Sequence, residues 1–187
     1  MIVRTQAADP VYAAYPEHMR WSRNGVVFVS MHMVGSANAL APFPTRTQAD
    51  DDEVEARTSA AIAWMREAFA EAKRQNSPGL FLMIHANPGF EAPAGSPFRV
   101  GFDAFVDALA DEVIAFGKPV VLTHGDSHYF RIDKPLTVDG KRVHTFTRVE
   151  AFGDADVHWL KVTVDPASAQ VFHIEQQIIP ANASRFD

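Results

Sequence analysis

Two short apolar runs in this sequence end in histidine, and the residues that follow have the chemistry of metal ligands. Residues 120–123 lead into His124, Gly125, Asp126, Ser127 and His128, and residues 80–84 lead into His85. Imidazole nitrogens and carboxylate oxygens commonly bind divalent metals. Because open α/β sheets carry their sites at the carboxyl ends of strands, the pattern predicts a metal site at one sheet edge. The predicted ligands are His85, His128, Asp126 and His124.

Each of these residues also has a simpler interpretation. A single histidine after a strand is typical of a hydrogen-bonded structural residue, and Asp126 lies in a Gly-Asp-Ser sequence that is typical of a turn. Histidines at two strand ends favour a shared site, because the fold would bring both to one edge. Arg131 is predicted either to bind a substrate phosphate or to form an ordinary ion pair. Arg148 interrupts an uncharged strand, so it is a candidate for the edge of the site.

Composition excludes several classes of site and partner. The chain has no cysteine, so any metal must be held by oxygen and nitrogen. Its 17 basic and 23 acidic residues give a net charge of −6, which argues against binding nucleic acid through bulk electrostatics. No apolar run reaches the roughly 20 residues that span a bilayer, so no membrane span is expected. The first residues are not typical of a signal peptide, which makes a cytoplasmic location the default expectation.

The predicted elements place the candidate ligands on an α/β scaffold. Strands are predicted at 25–34, 80–84 and 120–123, separated by helices that begin at the acidic run 50–53 and near residue 102. The first helix has its apolar stripe at Ala60, Ala61, Trp64, Met65, Ala68 and Phe69. This alternation predicts an α/β fold with mixed β-sheet layers flanked by helices, and a largely parallel central sheet.

The two ends of the chain have different patterns. Residues 143–151, 157–164 and 170–178 are predicted as three strands in antiparallel hairpins. Residues 1–24 contain scattered prolines and polar residues and are expected to be an irregular segment, while 25–187 are expected to form one α/β domain. The sequence contains no glycine-rich phosphate loop and no Gly-x-Ser-x-Gly elbow. Ser127, His128 and Asp126 are too close in one turn to favour a catalytic triad.

At these residues the chain resembles the calcineurin-like metallophosphoesterases. Members of that family end one strand in histidine, end a later strand in Gly-His-x-His, and complete a two-sheet sandwich with further strands. The sequence around His85 resembles the first feature, and Gly125-Asp126-Ser127-His128 resembles the second. The family's Asp-x-His, Gly-Asp and Gly-Asn-His-Asp or Glu motifs should precede these elements, and none of them occurs before His85. The resemblance therefore covers the C-terminal half of such a domain, from about residue 25 to residue 178.

The resemblance implies a metal-dependent phosphoester hydrolase that uses Mn, Fe or Zn. His85 would ligate one metal and His128 the other, while Asp126 takes the place of the family's first histidine or leaves that position to His124. Two explanations of the missing motifs stay open, a truncated phosphoesterase and a degenerate member that keeps the scaffold. The alternatives are a non-catalytic interaction protein and an amidohydrolase-like enzyme. A half-domain would also expose a sheet edge, so self-association is expected.

Overall fold

The computed structural model of the protein describes residues 1–154 and 156–183. Ala155 and the last four residues of the expected 25–187 domain lie outside the described residues. Eleven strands are described, numbered along the chain as β1 (Val3–Thr5), β2 (Met19–Arg23), β3 (Val26–Ser30), β4 (Leu80–Met83), β5 (Val120–His124), β6 (Arg131–Asp133), β7 (Thr137–Val138), β8 (Lys141–Arg142), β9 (Phe146–Glu150), β10 (Trp159–Val164) and β11 (Phe172–Gln177).

Seven of these strands form a mixed central sheet in the order β1-β2-β3-β4-β5-β9-β6. β3, β4, β5 and β9 run parallel, whereas β1, β2 and β6 pair with their neighbours in antiparallel fashion. The carboxyl ends of the four parallel strands therefore share one edge of the sheet. This arrangement confirms the predicted α/β class with helices flanking a mixed sheet.

Two helices, α1 (Gln48–Arg74) and α2 (Asp103–Phe116), cover one face of the sheet. α1 begins with a capping box, in which the Thr47 backbone N–H donates to the Asp50 carboxylate at 2.7 Å. The predicted apolar stripe of α1 is buried and packs with α2 against alternate residues of β3, β4 and β5. A short C-terminal helix, α3 (Pro180–Ala183), has no buried residues. A continuous apolar layer thus packs the two helices against one face of the parallel strands.

The opposite face of the sheet is covered by the hairpin β10–β11. Val171 and Phe172 are buried against Phe81, Val121 and other residues that point away from the helices. The hairpin is a separate two-stranded antiparallel sheet, and β7–β8 forms another. The domain therefore has three layers, namely helices, a mixed sheet and a small hairpin sheet.

The expectation that residues 1–24 are irregular is wrong. β1 and β2 extend the central sheet next to β3, and two short 3₁₀ turns, Gln6–Ala8 and Pro10–Tyr12, connect them. The error arises at Arg20, which is charged and therefore typical of an exposed position, although it is buried in β2. Its guanidinium is buried over the Trp64 ring, 4.2 Å from the ring centroid, and contacts Glu71 at 2.8 Å. A buried strand residue with a paired charge is easily mistaken for a loop residue.

The predicted antiparallel tail is correct for β10 and β11 and wrong for β9. β9 leaves the tail and pairs in parallel with β5, with Leu122 opposite Arg148 and His124 opposite Glu150. The periodicity of a strand does not tell which strand it pairs with. This pairing matters for the site because it places the end of β9 beside the end of β5.

Candidate functional site

Backbone hydrogen bonds join the carboxyl ends of the parallel strands. The Gly125 N–H donates to the His85 carbonyl at 2.9 Å, and the Ala86 N–H donates to the Met33 carbonyl at 3.1 Å. The Ala151 N–H donates to the His124 carbonyl at 2.8 Å. The segments that follow β3, β4, β5 and β9 are therefore held together at one edge. We call the polar residues of the two central segments the strand-end site, which consists of His85, Asn87, Asp126, Ser127 and His128.

The turn after β5 fits against two glycines on neighbouring segments. Asp126 and His128 both have left-handed backbone conformations, with φ of 79° and 65°. A Cβ added to Gly35 would lie 3.0 Å from an Asp126 carboxylate oxygen, and one added to Gly153 would lie 2.8 Å from the His128 ring. The Asp126 side chain therefore lies over the segment after β3, and the His128 ring lies over the segment after β9. A side chain at position 153 would require the His128 segment to shift, whereas one at position 35 would require only a small movement of the Asp126 carboxylate.

Strained backbone is concentrated at this edge of the sheet. Among the described residues, ten non-glycine residues have positive φ, and six of them lie in the segments after β3 and β5, namely Ser36, Ala37, Asn38, Ala39, Asp126 and His128. Left-handed non-glycine residues are costly and are often found at ligand-binding and catalytic positions. The edge predicted from the histidines is thus also where the backbone is most unusual.

Four of those residues belong to a turn, Gly35–Asn38 and the following Ala39, that buried side chains hold in place. Arg57 is buried beneath it and donates to the Asn38 amide oxygen at 2.6 Å. The Asn38 amide nitrogen donates to the Gly101 carbonyl at 2.9 Å. Arg57 was not among the residues that the sequence singled out. A buried arginine within a helical apolar stripe shows no distinctive spacing.

The described residues do not contain a preassembled metal centre. His85, Asp126 and His128 are exposed on the two joined segments, and the Asn87 amide donates to the Ser127 hydroxyl at 2.7 Å. Within residues 1–154 and 156–183, no three histidine, aspartate or glutamate side chains are grouped closely enough to hold an ion. The structure therefore joins the backbone of the predicted segments without gathering their side chains into a ready ligand set.

His124, the fourth predicted ligand, lies apart from the exposed residues. It is 2% exposed and occupies a buried position at the end of β5. Its Nδ1 lies 2.9 Å from the Gly125 carbonyl, an acceptor, so a neutral ring carries its proton on Nδ1. Burial lowers the pKa of His124, against the opposing effects of this hydrogen bond and the Glu150 charge. We therefore treat His124 as a neutral residue beneath the site.

Arg131 forms part of a network of five charged residues, which we call the arginine–carboxylate cluster. The members are Glu91, Arg131, Asp133, Arg148 and Glu150. Arg131 donates to Glu150 at 2.6 Å and to Glu91 at 2.7 Å, so carboxylates of this chain occupy its guanidinium. Arg148 donates to Asp133 through Nε at 2.7 Å, and its Nη2 also contacts Asp133 and lies 2.5 Å from Glu91. The ion pair expected for Arg131 is present, and its phosphate role stays a prediction.

The cluster is buried at Arg148 and Glu150 and partly exposed at Arg131, Asp133 and Glu91. Arg148 and Glu150 are both 0% exposed, whereas the Glu91 side chain is 52% exposed. Burial raises the pKa of Glu91, but hydrogen bonding and charge from Arg148 and Arg131 outweigh it, so the pKa lies below its ordinary value. Burial lowers the pKa of Arg148, but its bonds to Asp133 and Glu91 outweigh that effect and raise it. Glu91 and Arg148 are therefore treated as charged at neutral pH.

Sequence reasoning missed the carboxylates of this cluster. Arg148 and Glu150 are two residues apart on β9, so both side chains lie on one face of the sheet. Their cross-strand partners on β6, Asp133 and Arg131, lie on the same face. Two charges spaced by two residues in an otherwise buried strand were the available signal. Glu91 lies in the loop between β4 and α2, and nothing in its local sequence indicates its partners.

Comparisons with models of known protein families, with curated proteins and with solved structures found no match to this chain. Among the helices of the described part of the chain, none has the length and apolar character needed to cross a membrane. The strand-end site and the arginine–carboxylate cluster are therefore the features from which a function can be inferred.

Proposed function

We propose that the protein is a metal-dependent phosphoester hydrolase of the calcineurin-like kind, corresponding to the C-terminal half of such a domain and carrying an incomplete metal site. One observation supports this proposal most. The segment with His85 and the segment with Asp126 and His128 are hydrogen-bonded to each other at the carboxyl edge of a parallel sheet. That edge is where α/β proteins bind their ligands.

The donor atoms available there suit a hard or borderline divalent ion such as Mn²⁺, Fe²⁺ or Zn²⁺. His85, His128 and Asp126 would hold it through nitrogen and carboxylate oxygen. A bound ion supplies an acidified water and neutralises charge on a phosphoryl group. The amide of Asn87 and the hydroxyl of Ser127, which are hydrogen-bonded to each other, can donate hydrogen bonds to a phosphate oxygen. These two groups would orient the substrate without contributing a charge.

The fit to a metal is partial. A catalytic metal usually has at least three protein ligands in fixed geometry, and no such group exists among the described residues. The three exposed side chains would have to move together to bind an ion, and the ordering would weaken the affinity. A site of this kind takes the rest of its coordination from water and substrate. We therefore expect weak metal binding and slow turnover.

The test is metal-stimulated release of nitrophenol from bis(4-nitrophenyl) phosphate, with Mn²⁺, Fe²⁺ and Zn²⁺ tried separately. We expect slow hydrolysis that depends on added metal and falls at least tenfold in His85→Ala and in His128→Ala, because each loses a ligand. His173→Ala removes an exposed histidine of the hairpin and serves as the matched control. A rate without metal dependence, or equal rates in all variants, would count against the proposal.

A second candidate function is a non-catalytic scaffold or interaction protein that keeps the fold. Two observations favour it, namely the lack of a grouped ligand set among the described residues and the occupation of Arg131 by Glu91 and Glu150. This candidate predicts no metal-dependent turnover of any aryl phosphate and no saturable metal binding.

A further inference from the structure

Glu91 lies on a loop, whereas the other members of the arginine–carboxylate cluster lie on strands. Arg131, Asp133, Arg148 and Glu150 lie on β6 and β9, whereas Glu91 lies in the loop between β4 and α2. One oxygen of Glu91 contacts both guanidinium groups, at 2.7 Å from Arg131 and 2.5 Å from Arg148. A half-exposed carboxylate on a loop therefore bridges two arginines that are fixed by the sheet.

The charges of the cluster determine what could replace Glu91. The formal charges of the four strand residues are two positive and two negative and sum to zero, and Glu91 brings the formal total to −1. A ligand with one negative charge would leave that total unchanged, whereas a dianion would add a further negative charge in a poorly hydrated place. The arginine pair therefore favours a monoanion over a dianion.

One hydrogen-bond donor of the cluster has no partner among the described residues. Nη1 of Arg148 is buried and has no hydrogen-bond partner among the described residues. A buried donor without a partner is costly, and a carboxylate offers at most two oxygens. A phosphodiester has two non-bridging oxygens, which share its single negative charge, and two ester oxygens, so it can reach both arginines and still offer an acceptor. Guanidinium groups match phosphate oxygens in geometry.

We propose that Arg131 and Arg148 form a subsite for a phosphodiester monoanion, and that Glu91 is an internal occupant which such a ligand must displace. Glu91 then acts as an autoinhibitory contact that keeps the subsite closed to weak ligands. Glu91 lies four residues after Asn87 of the strand-end site, so displacing Glu91 would move the loop that leads away from that site. The identity of the ligand as a substrate rests on the proposed function, but binding of the anion does not require a metal.

The subsite is tested by calorimetric titration with diethyl phosphate at pH 8 and constant ionic strength, in the presence of EDTA. Glu91→Ala removes the competitor and should bind diethyl phosphate about tenfold more tightly than the unmodified protein, the effect of losing one charge-assisted contact. Glu91→Gln keeps the shape and removes the charge, and should shift affinity in the same direction. Phenyl phosphate, a dianion at this pH, should bind more weakly than the diester in both variants.

Two controls make the result specific. Glu112→Ala removes a carboxylate that pairs with Lys73 on the helices at 2.9 Å, and it should leave diester affinity unchanged. Arg131→Gln combined with Glu91→Ala should abolish the gain in affinity. The proposal is overturned if neither Glu91 variant binds the diester more tightly, or if the gain survives in the double variant. Because EDTA is present, that failure would leave the metal proposal standing, and failure to bind metal would leave this subsite standing.

Discussion

Replacing Gly101 by alanine should destabilise the protein by about 3 kcal/mol, the upper end of the usual cost of overpacking, because the new methyl group has no space. An alanine Cβ at this position would lie 2.0 Å from the Ala37 carbonyl oxygen, which is backbone and cannot rotate away. Ala37 belongs to the left-handed turn that Asn38 and Arg57 hold in place, so the turn would have to open. Urea unfolding followed by circular dichroism measures the loss.

The matched control for this substitution is Gly125→Ala. The nearest atom to an added Cβ there is the His85 carbonyl oxygen at 3.8 Å, an ordinary contact, and the φ of Gly125 is not positive. We expect its unfolding midpoint to stay close to that of the unmodified protein. Equal midpoints for Gly101→Ala and Gly125→Ala would show that the turn after β3 is not packed as described.

Replacing Arg148 by methionine should cost about 3 kcal/mol of folding stability, because it removes a buried charge whose carboxylate partners remain. Arg148 is 0% exposed, but Glu91 and Asp133 both reach solvent in part, which places the cost at the lower end of the range for buried pairs. The pKa of Glu91 is depressed below its ordinary 4.5. The Glu91 part of the cost is therefore fully present above that pH and is lost as the pH falls through the depressed pKa.

The comparison for Arg148 is an exposed ion pair on the hairpin. Lys161 contacts Glu175 at 3.1 Å, and both side chains are more than half exposed. Lys161→Met should change stability by less than about 1 kcal/mol, since exposed pairs contribute little. Thermal and urea unfolding at pH 7 would separate the two cases. A small effect of Arg148→Met would mean that the cluster is hydrated rather than buried.

Most of the scaffold could be predicted from sequence, because the central strands and helices have simple periodicities. The buried stripe of α1 around Trp64 and Met65 is found as predicted, and so are the apolar runs that became β3, β4 and β5. β2 was missed because it buries Arg20, whose charge is neutralised by residues distant in sequence. β9 was found as a strand, but its pairing with β5 was not, because periodicity does not identify the partner of a strand.

The sequence indicated which segments come together but not how their side chains lie. His85 and His128 follow apolar runs, and the structure joins their segments at one sheet edge, while their role as metal ligands stays a prediction. Nothing in the sequence showed that His124 would be buried, because a strand's last residue can point to either side. Glu91 was out of reach for a similar reason, since its partners lie 40 and 57 positions further along the chain, at Arg131 and Arg148.

Binding of Mn²⁺, followed by the electron paramagnetic resonance signal of the free ion, tests the role of the strand-end site most directly. We predict saturable binding of Mn²⁺ that weakens at least tenfold in His85→Ala, Asp126→Ala and His128→Ala, and that is unchanged in His173→Ala. Absence of saturable binding, or equal affinity in all four variants and the unmodified protein, would contradict the assignment of this sheet edge as a metal site.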